Sequence, residues 1–207
     1  SRFRMDAEMI RDQILATSGQ LSETMFGKSV KPPQPDGLWA SVTMTGQTFK
    51  PDAGDDIYRR SVYTFWKRAM PPPQMSILNA PIRDSCIARR ERTNTPSQAL
   101  LLLNEGEYLN SARTLAQSVL EKKSLSDAER FSIAYETVTS KLPDTKEQET
   151  FSKLREDLLE SYRNDAALAD QLCEGLTMPD AESKTQLAAW TIIANTLYNL
   201  DITKTRE

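Results

Sequence analysis

The sequence predicts a mainly α fold, an antiparallel helical bundle carrying a small β-hairpin and a long Pro-rich irregular segment, on three observations. From residue 96 onward apolar side chains recur at helical spacing. Helix-start signals repeat in series over the same range. Between residues 31 and 95, prolines and clustered β-branched residues break that period. The expected organisation is a single domain, or the C-terminal part of a larger one, with an N-terminal helical segment (1–30), an irregular and hairpin segment (31–95) and the bundle (96–207).

Met5, Met9, Ile10, Ile14 and Leu15 share one helical face over residues 5–18, and Gly19 stands where a left-handed cap belongs. Lys31-Pro32-Pro33-Gln34-Pro35 removes backbone donors and predicts an extended connector. Val42, Thr43, Thr45, Thr48 and Phe49, then Ile57, Tyr58 and Val62 to Trp66, flank the turn-forming Asp52-Ala53-Gly54-Asp55. A hairpin over 39–67 follows from residue propensity. Its rival is a helix over 57–69, since Tyr58, Val62 and Phe65 also fall at i, i+4 and i+7. Pro71-Pro72-Pro73 closes this stretch.

Thr95 with Pro96 and Gln98 forms a capping box that opens a helix, and Asn104-Glu105-Gly106 interrupts it. A second helix runs to about Lys122 with Leu109, Ala112, Leu115, Ala116 and Val119 inward. Ser126 and Glu129 repeat the box ahead of a helix that buries Phe131, Ala134, Tyr135 and Val138. Asp144 or Thr145 opens an amphipathic helix to about Arg163, with Phe151, Leu154, Leu158 and Tyr162 inward. A short helix from Ala166 to Glu174 ends before Gly175. The last, to about Asn199, is apolar on most sides from Leu187 to Ala194 and is expected at the centre of the bundle.

Composition narrows the chemistry. Across 207 residues, 26 basic and 29 acidic side chains leave a net charge of −3, which disfavours nucleic acid as a partner. There is no histidine, so no Ser-His-Asp or Cys-His catalytic unit and no imidazole metal site can form within these residues. Cys86 and Cys173 are either two separate thiols or one long-loop disulfide. No cofactor or metal is assigned to this chain. The longest apolar run, Ala99 to Leu103, is too short to span a bilayer. An opening of Ser1-Arg2-Phe3-Arg4 is expected of the remainder of a longer or processed polypeptide.

Charge is unevenly distributed. Arg59, Arg60, Lys67, Arg68, Arg83, Arg89, Arg90 and Arg92 outnumber Asp55, Asp56, Asp84 and Glu91 between residues 55 and 92, and acids dominate from Asp144 to Glu174. The candidate polar cluster is Arg59, Arg60, Asp84, Arg89, Arg90, Glu91, Arg92 and Asn94. It reads most simply as a clamp, in which guanidinium groups take up carboxylates and carbonyls to hold the irregular segment in place. Its local acceptors are Asp84, Glu91 and Asn94, with the acids after Asp144 supplying more. The alternatives are a pocket for anionic carbohydrate, with Asp84 and Glu91 as acid and base and Trp39, Tyr63 and Trp66 as stacking platforms, or a face that docks a partner. No catalytic residue is assigned.

The strings Tyr58 to Arg68, Pro71-Pro72-Pro73, Asn79-Ala80-Pro81 and Arg89 to Leu100 resemble the signature of a planctomycete domain of unknown function. That domain occurs on the C-terminal side of large exported proteins that often carry a cytochrome c-like domain. The likeness extends through Asp6 to Asp12, Lys31 to Trp39 and Ala188 to Asp201. Asn79 departs from it, standing where the family more often has Asp, and the tail after Asp201 looks shortened. The resemblance implies an exported protein, periplasmic or extracellular, in a polysaccharide-degrading type of bacterium. Haem c would sit on another segment or partner, because Cys-x-x-Cys-His is absent here. It implies no reaction. The expected role is a non-catalytic scaffold or interaction domain whose partners are other domains of the polypeptide, other proteins or polysaccharide.

Overall fold

The serial capping signals become helices in the computed structural model, which describes residues 2–35, 37–38 and 49–206. Helices α1 (Ala7–Thr17), α2 (Pro73–Ile77), α3 (Pro96–Asn104), α4 (Gly106–Leu120), α5 (Asp127–Thr139), α6 (Thr145–Asn164), α7 (Ala166–Leu172), α8 (Ala181–Asn199) and α9 (Asp201–Lys204) follow one another along the chain. Strands β1 (Phe3–Arg4) and β2 (Thr205–Arg206) pair antiparallel, Phe3 opposite Arg206 and Arg4 opposite Thr205. The chain divides into two units, Ser1–Leu101 with Thr205–Glu207 and Leu102–Lys204, and α3 runs across the division.

The second unit is a helical bundle around α8, which packs chiefly on α4 and α6. Its buried run from Leu187 to Thr191, with Ile193 and Ala194, bears out the expected central position, and Trp190 is 2% exposed. Ala188 and Ala189 let α8 approach Leu159, Tyr162 and Ala169 closely. Asn195, buried on α8, donates to the Leu102 carbonyl at 3.0 Å, so its own amide is paired. Both Ser126–Glu129 and Asp144–Glu147 form complete capping boxes, which fixes where α5 and α6 begin. Ser140 ends α5 in the left-handed region (φ +60°). On α6, Leu159 is buried where Leu158 was expected, because the apolar stripe rotates by one residue along the helix.

The first unit holds less regular structure. Its core gathers Met5, Ala7, Ile10, Ile14, Leu15, Val30, Met75, Leu78 and Ala80. Gly19, at φ +79°, turns the chain after α1, and the amides of Gln20 and Leu21 both return to the Leu15 carbonyl. The expected face of α1 needs one correction. Met9 is exposed, and Arg11 takes a buried place beside Ile10 and Ile14.

The expected hairpin also needs correction. Residues 39–48 lie outside the described residues. Residues 57–67 form neither a hairpin strand nor a helix: short 3-10 turns occupy Gly54–Tyr58 and Ser61–Tyr63. The only ladder-like contacts described there are single bridges, Ser22 with Arg59, Val30 with Thr64 and Lys67 with Met70. The small antiparallel pair of this fold is β1–β2, far from the expected position. Propensity misled here because side chains of α1, described below, take the hydrogen bonds a neighbouring strand would have supplied. The proline run also does more than terminate, since Pro73 sits in the first turn of α2, where its missing amide costs nothing.

Candidate functional site

The polar cluster expected between residues 59 and 94 separates into three places, all within the first unit. The first is a buried knot. Arg11, 0% exposed on α1, donates to the carbonyls of Ile57 (2.8 Å) and Arg59 (3.0 Å) and to Ser61 Oγ (3.2 Å). Asp12, next on the same helix, accepts from the Ser61 amide at 2.7 Å and its hydroxyl at 2.6 Å. Arg59, 4% exposed, points the other way and donates to the carbonyls of Thr24 (3.2 Å), Lys28 (3.0 Å) and Phe26. The Tyr63 ring stacks on this guanidinium at 4.0 Å. Two guanidiniums thus collect five carbonyls that the irregular chain leaves without helix or sheet partners.

The second place is the start of α1. Arg90 grips Glu8 with both terminal nitrogens, at 2.7 and 3.2 Å, and approaches Asp6 at 3.5 Å. Arg92 meets Asp6 at 3.4 Å and lies over the Phe3 ring at 5.2 Å. The carboxylates on these arginines are therefore Asp6 and Glu8. They were expected to be Asp84, Glu91 and the acids after Asp144, and that expectation is corrected. Among the acids of residues 144–174, Asp170 pairs with Lys184 at 2.6 Å and Glu147 accepts from the Tyr135 hydroxyl at 2.5 Å. A buried amide anchors the end of the same loop. Gln98 accepts from Arg4 at 3.1 Å and donates to the Ile77 carbonyl at 3.0 Å and the Thr93 hydroxyl at 3.1 Å.

The third place is open. Ser76, Asn79 to Ser85, Ile87, Arg89 and Glu91 line a concavity of about 570 Å³. Asn79 and Arg83 both have positive φ, +64° and +68°, and bend the loop around it. Asn79 donates to the Thr93 hydroxyl at 2.6 Å, where a carboxylate could only accept from it. Arg83 covers one face of Trp66 at 4.5 Å, and Trp66 Nε1 donates to the Ile82 carbonyl at 3.1 Å. Asp84, Arg89 and Glu91 are exposed, as are Arg60 and Asn94.

Of the three aromatics weighed as sugar platforms, Tyr63 is engaged by Arg59, Trp66 by Arg83, and Trp39 lies outside the described residues. Sequence reasoning missed Asp6, Glu8, Arg11 and Asp12. Their signal was a run of charge inside and just before an otherwise apolar helical face. Cys86 and Cys173 are both free, one exposed and one buried. Burial pushes the Cys173 thiol up, against the pull of Arg113 and Lys184, which makes it a poor nucleophile. Among the described residues no group of three or more Cys, Asp or Glu side chains is placed to hold a metal ion. No helix among them is long and apolar enough to cross a membrane.

Residues 1–155 match the model of the PSD1 family, described as a protein of unknown function (DUF1553). The match takes in the whole polar cluster and ends within α6. No curated protein and no solved structure matches the chain.

Proposed function

The chain belongs to this PSD1 family of unknown function, and from that premise we propose that it acts as a non-catalytic scaffold or interaction domain of a larger protein. The observation that carries the reading is the fate of the guanidiniums. Arg59, Arg90 and Arg92, three of the cluster's five guanidiniums, are engaged by backbone carbonyls and by Asp6 and Glu8 within the fold itself. Asp84 and Glu91, the pair nominated as acid and base, stand in solvent, where nothing desolvates a reacting bond.

We extend the reading to an exported protein, periplasmic or extracellular, with other domains or proteins as partners and haem c on a neighbouring segment. Its support is the resemblance of the strings Tyr58 to Arg68 and Arg89 to Leu100. Fractionation of the native host followed by immunodetection checks the compartment, and a cytoplasmic signal would refute it.

One observation favours a second reading, an anionic-carbohydrate module. Exposed Arg89 stands on the rim of a concavity whose volume falls in the range of about 300–1,000 Å³ typical of ligand pockets. Calorimetric titration of the full chain with oligogalacturonate and sulfated oligosaccharides separates the two. The scaffold reading expects no saturable heat. Saturable binding that Arg89→Ala abolishes, with the melting temperature unchanged, would replace it with the carbohydrate module.

A further inference from the structure

The segment Thr24 to Lys28 turns its polar backbone inward and its apolar side chains outward. Arg59 takes the carbonyls of Thr24, Phe26 and Lys28, and the Phe26 amide donates to the Tyr63 hydroxyl at 2.8 Å. The bridges Ser22 with Arg59 and Val30 with Thr64 tie down both ends. Phe26 is held at φ +64°, a region bulky residues rarely enter, and Gly27 follows at φ +88°. The result is an apolar tip, with Met25 63% and Phe26 78% exposed. Because three of its carbonyls and the Phe26 amide are already bonded and both its ends are tied, the tip has less polarity to desolvate and less entropy to lose on insertion than a free loop. An aromatic anchor entering a pocket is the usual centre of a protein interface.

A recess of matching chemistry lies on the same unit. Ala80, Pro81, Ile82 and Ile87 give the 79–91 concavity its apolar wall, and Arg83, Asp84, Arg89 and Glu91 rim it with both signs of charge. Exposed Glu23 and Lys28 flank the tip with both signs as well. We propose that the Met25–Phe26 tip of one chain docks into the 79–91 recess of a second copy, with Lys28 facing Asp84 and Glu91, and Glu23 facing Arg83 and Arg89. Such a contact is heterologous, closing a dimer if it is reciprocated and adding copies in a row if it is not. It is small, so the association is weak and concentration-dependent. A lipid surface fits less well: the chain is net acidic, and one Phe with one Met falls short of the two signals stable anchoring needs.

The proposal rests on the interaction-domain reading, and it is tested on the full chain by sedimentation velocity over a concentration series reaching the high micromolar range. The mean mass of the wild type is expected to rise towards twice the monomer or beyond. Phe26→Asn should stay monomeric while melting no lower than wild type, since Asn accepts positive φ readily. Ile87→Asp, on the other side of the contact, should also stay monomeric. The native thiol of exposed Cys86 adjoins the recess, so Met25→Cys treated with diamide should give a disulfide-linked dimer that Cys86→Ser removes. A wild type that is monomeric throughout, or a Phe26→Asn variant that still associates, overturns the proposal. So does a dimer of Met25→Cys that survives Cys86→Ser, and so does Phe26-dependent sedimentation with phosphatidylcholine vesicles by a chain monomeric in solution. None of these outcomes touches the scaffold reading, which fails only on saturable saccharide binding.

Discussion

The Leu102–Lys204 unit answers its backbone polar groups within helices, whereas the unit of Ser1–Leu101 with Thr205–Glu207 answers many of its own with arginine side chains. In the bundle, capping boxes at Ser126 and Asp144 and the buried face of α8 each involve neighbours in sequence or helix-on-helix packing. In the other unit, Arg11 reaches 46 and 48 positions along the chain to bond Ile57 and Arg59. The difference teaches a rule about irregular chain. Carbonyls that no helix or sheet consumes still need donors, and a buried guanidinium, with five N–H groups in a rigid fork, is the side chain able to supply several at once.

The largest effects are expected on removing one anchor from each unit. Arg11→Ala leaves two carbonyls and Ser61 without their donor in a fully buried place and is expected to destabilise by about 3–5 kcal/mol. Arg11→Lys should recover only a small part, because one ammonium cannot reproduce the fork. Trp190→Ala should cost a similar ~3–5 kcal/mol by opening a cavity in the bundle. Urea unfolding of the three variants checks both, and an Arg11→Ala chain as stable as wild type would remove the basis of the rule.

Smaller effects follow at the surface. Arg90→Ala breaks the grip on Glu8, but the Arg90 side chain is 36% exposed, so water and salt screen the pair and the loss is expected near 1 kcal/mol. That loss should shrink in high salt, as thermal melts at two ionic strengths would reveal. Ser126→Ala, in the bundle, should cost about 1 kcal/mol by uncapping α5.

The smallest effect is in pH. Bonds to Ser126 hold the Glu129 carboxyl below its ordinary value of 4.5, so its contribution is present above that value and is lost as pH falls through the lower folded value. At the alkaline end, burial and then Glu147 push the Tyr135 phenol up to about 12. Its contribution is full below the ordinary 10.0 and disappears as pH rises towards 12. Comparing wild type with Tyr135→Phe by far-UV circular dichroism between these values should show the wild type losing its advantage over that window.

The bundle was legible in the sequence because its determinants are local. Thr95–Gln98, Ser126–Glu129 and Asp144–Glu147 announce helix starts within four residues, and Phe131, Ala134, Tyr135 and Val138 fall inward as their spacing requires. The same cues are silent about residues 49–95, where conformation depends on which carbonyl meets Arg11 or Arg59. Arginine at position 11 reads as a solvent-facing residue until the partner segment is in place. The clamp at Arg90 and Arg92 was legible as chemistry but not as geometry, since charge counting cannot say that Asp6 and Glu8 are nearer than Glu91.

β1 and β2 give the chain an order of events. Arg2 bonds Thr205 across 203 positions, and Phe3 pairs with Arg206. On a ribosome adding roughly 5–20 residues per second, β1 waits about 10–40 s for its partner to emerge. The whole Leu102–Lys204 bundle is synthesised during that interval and can fold first. The unit that contains β1 is therefore completed after the bundle.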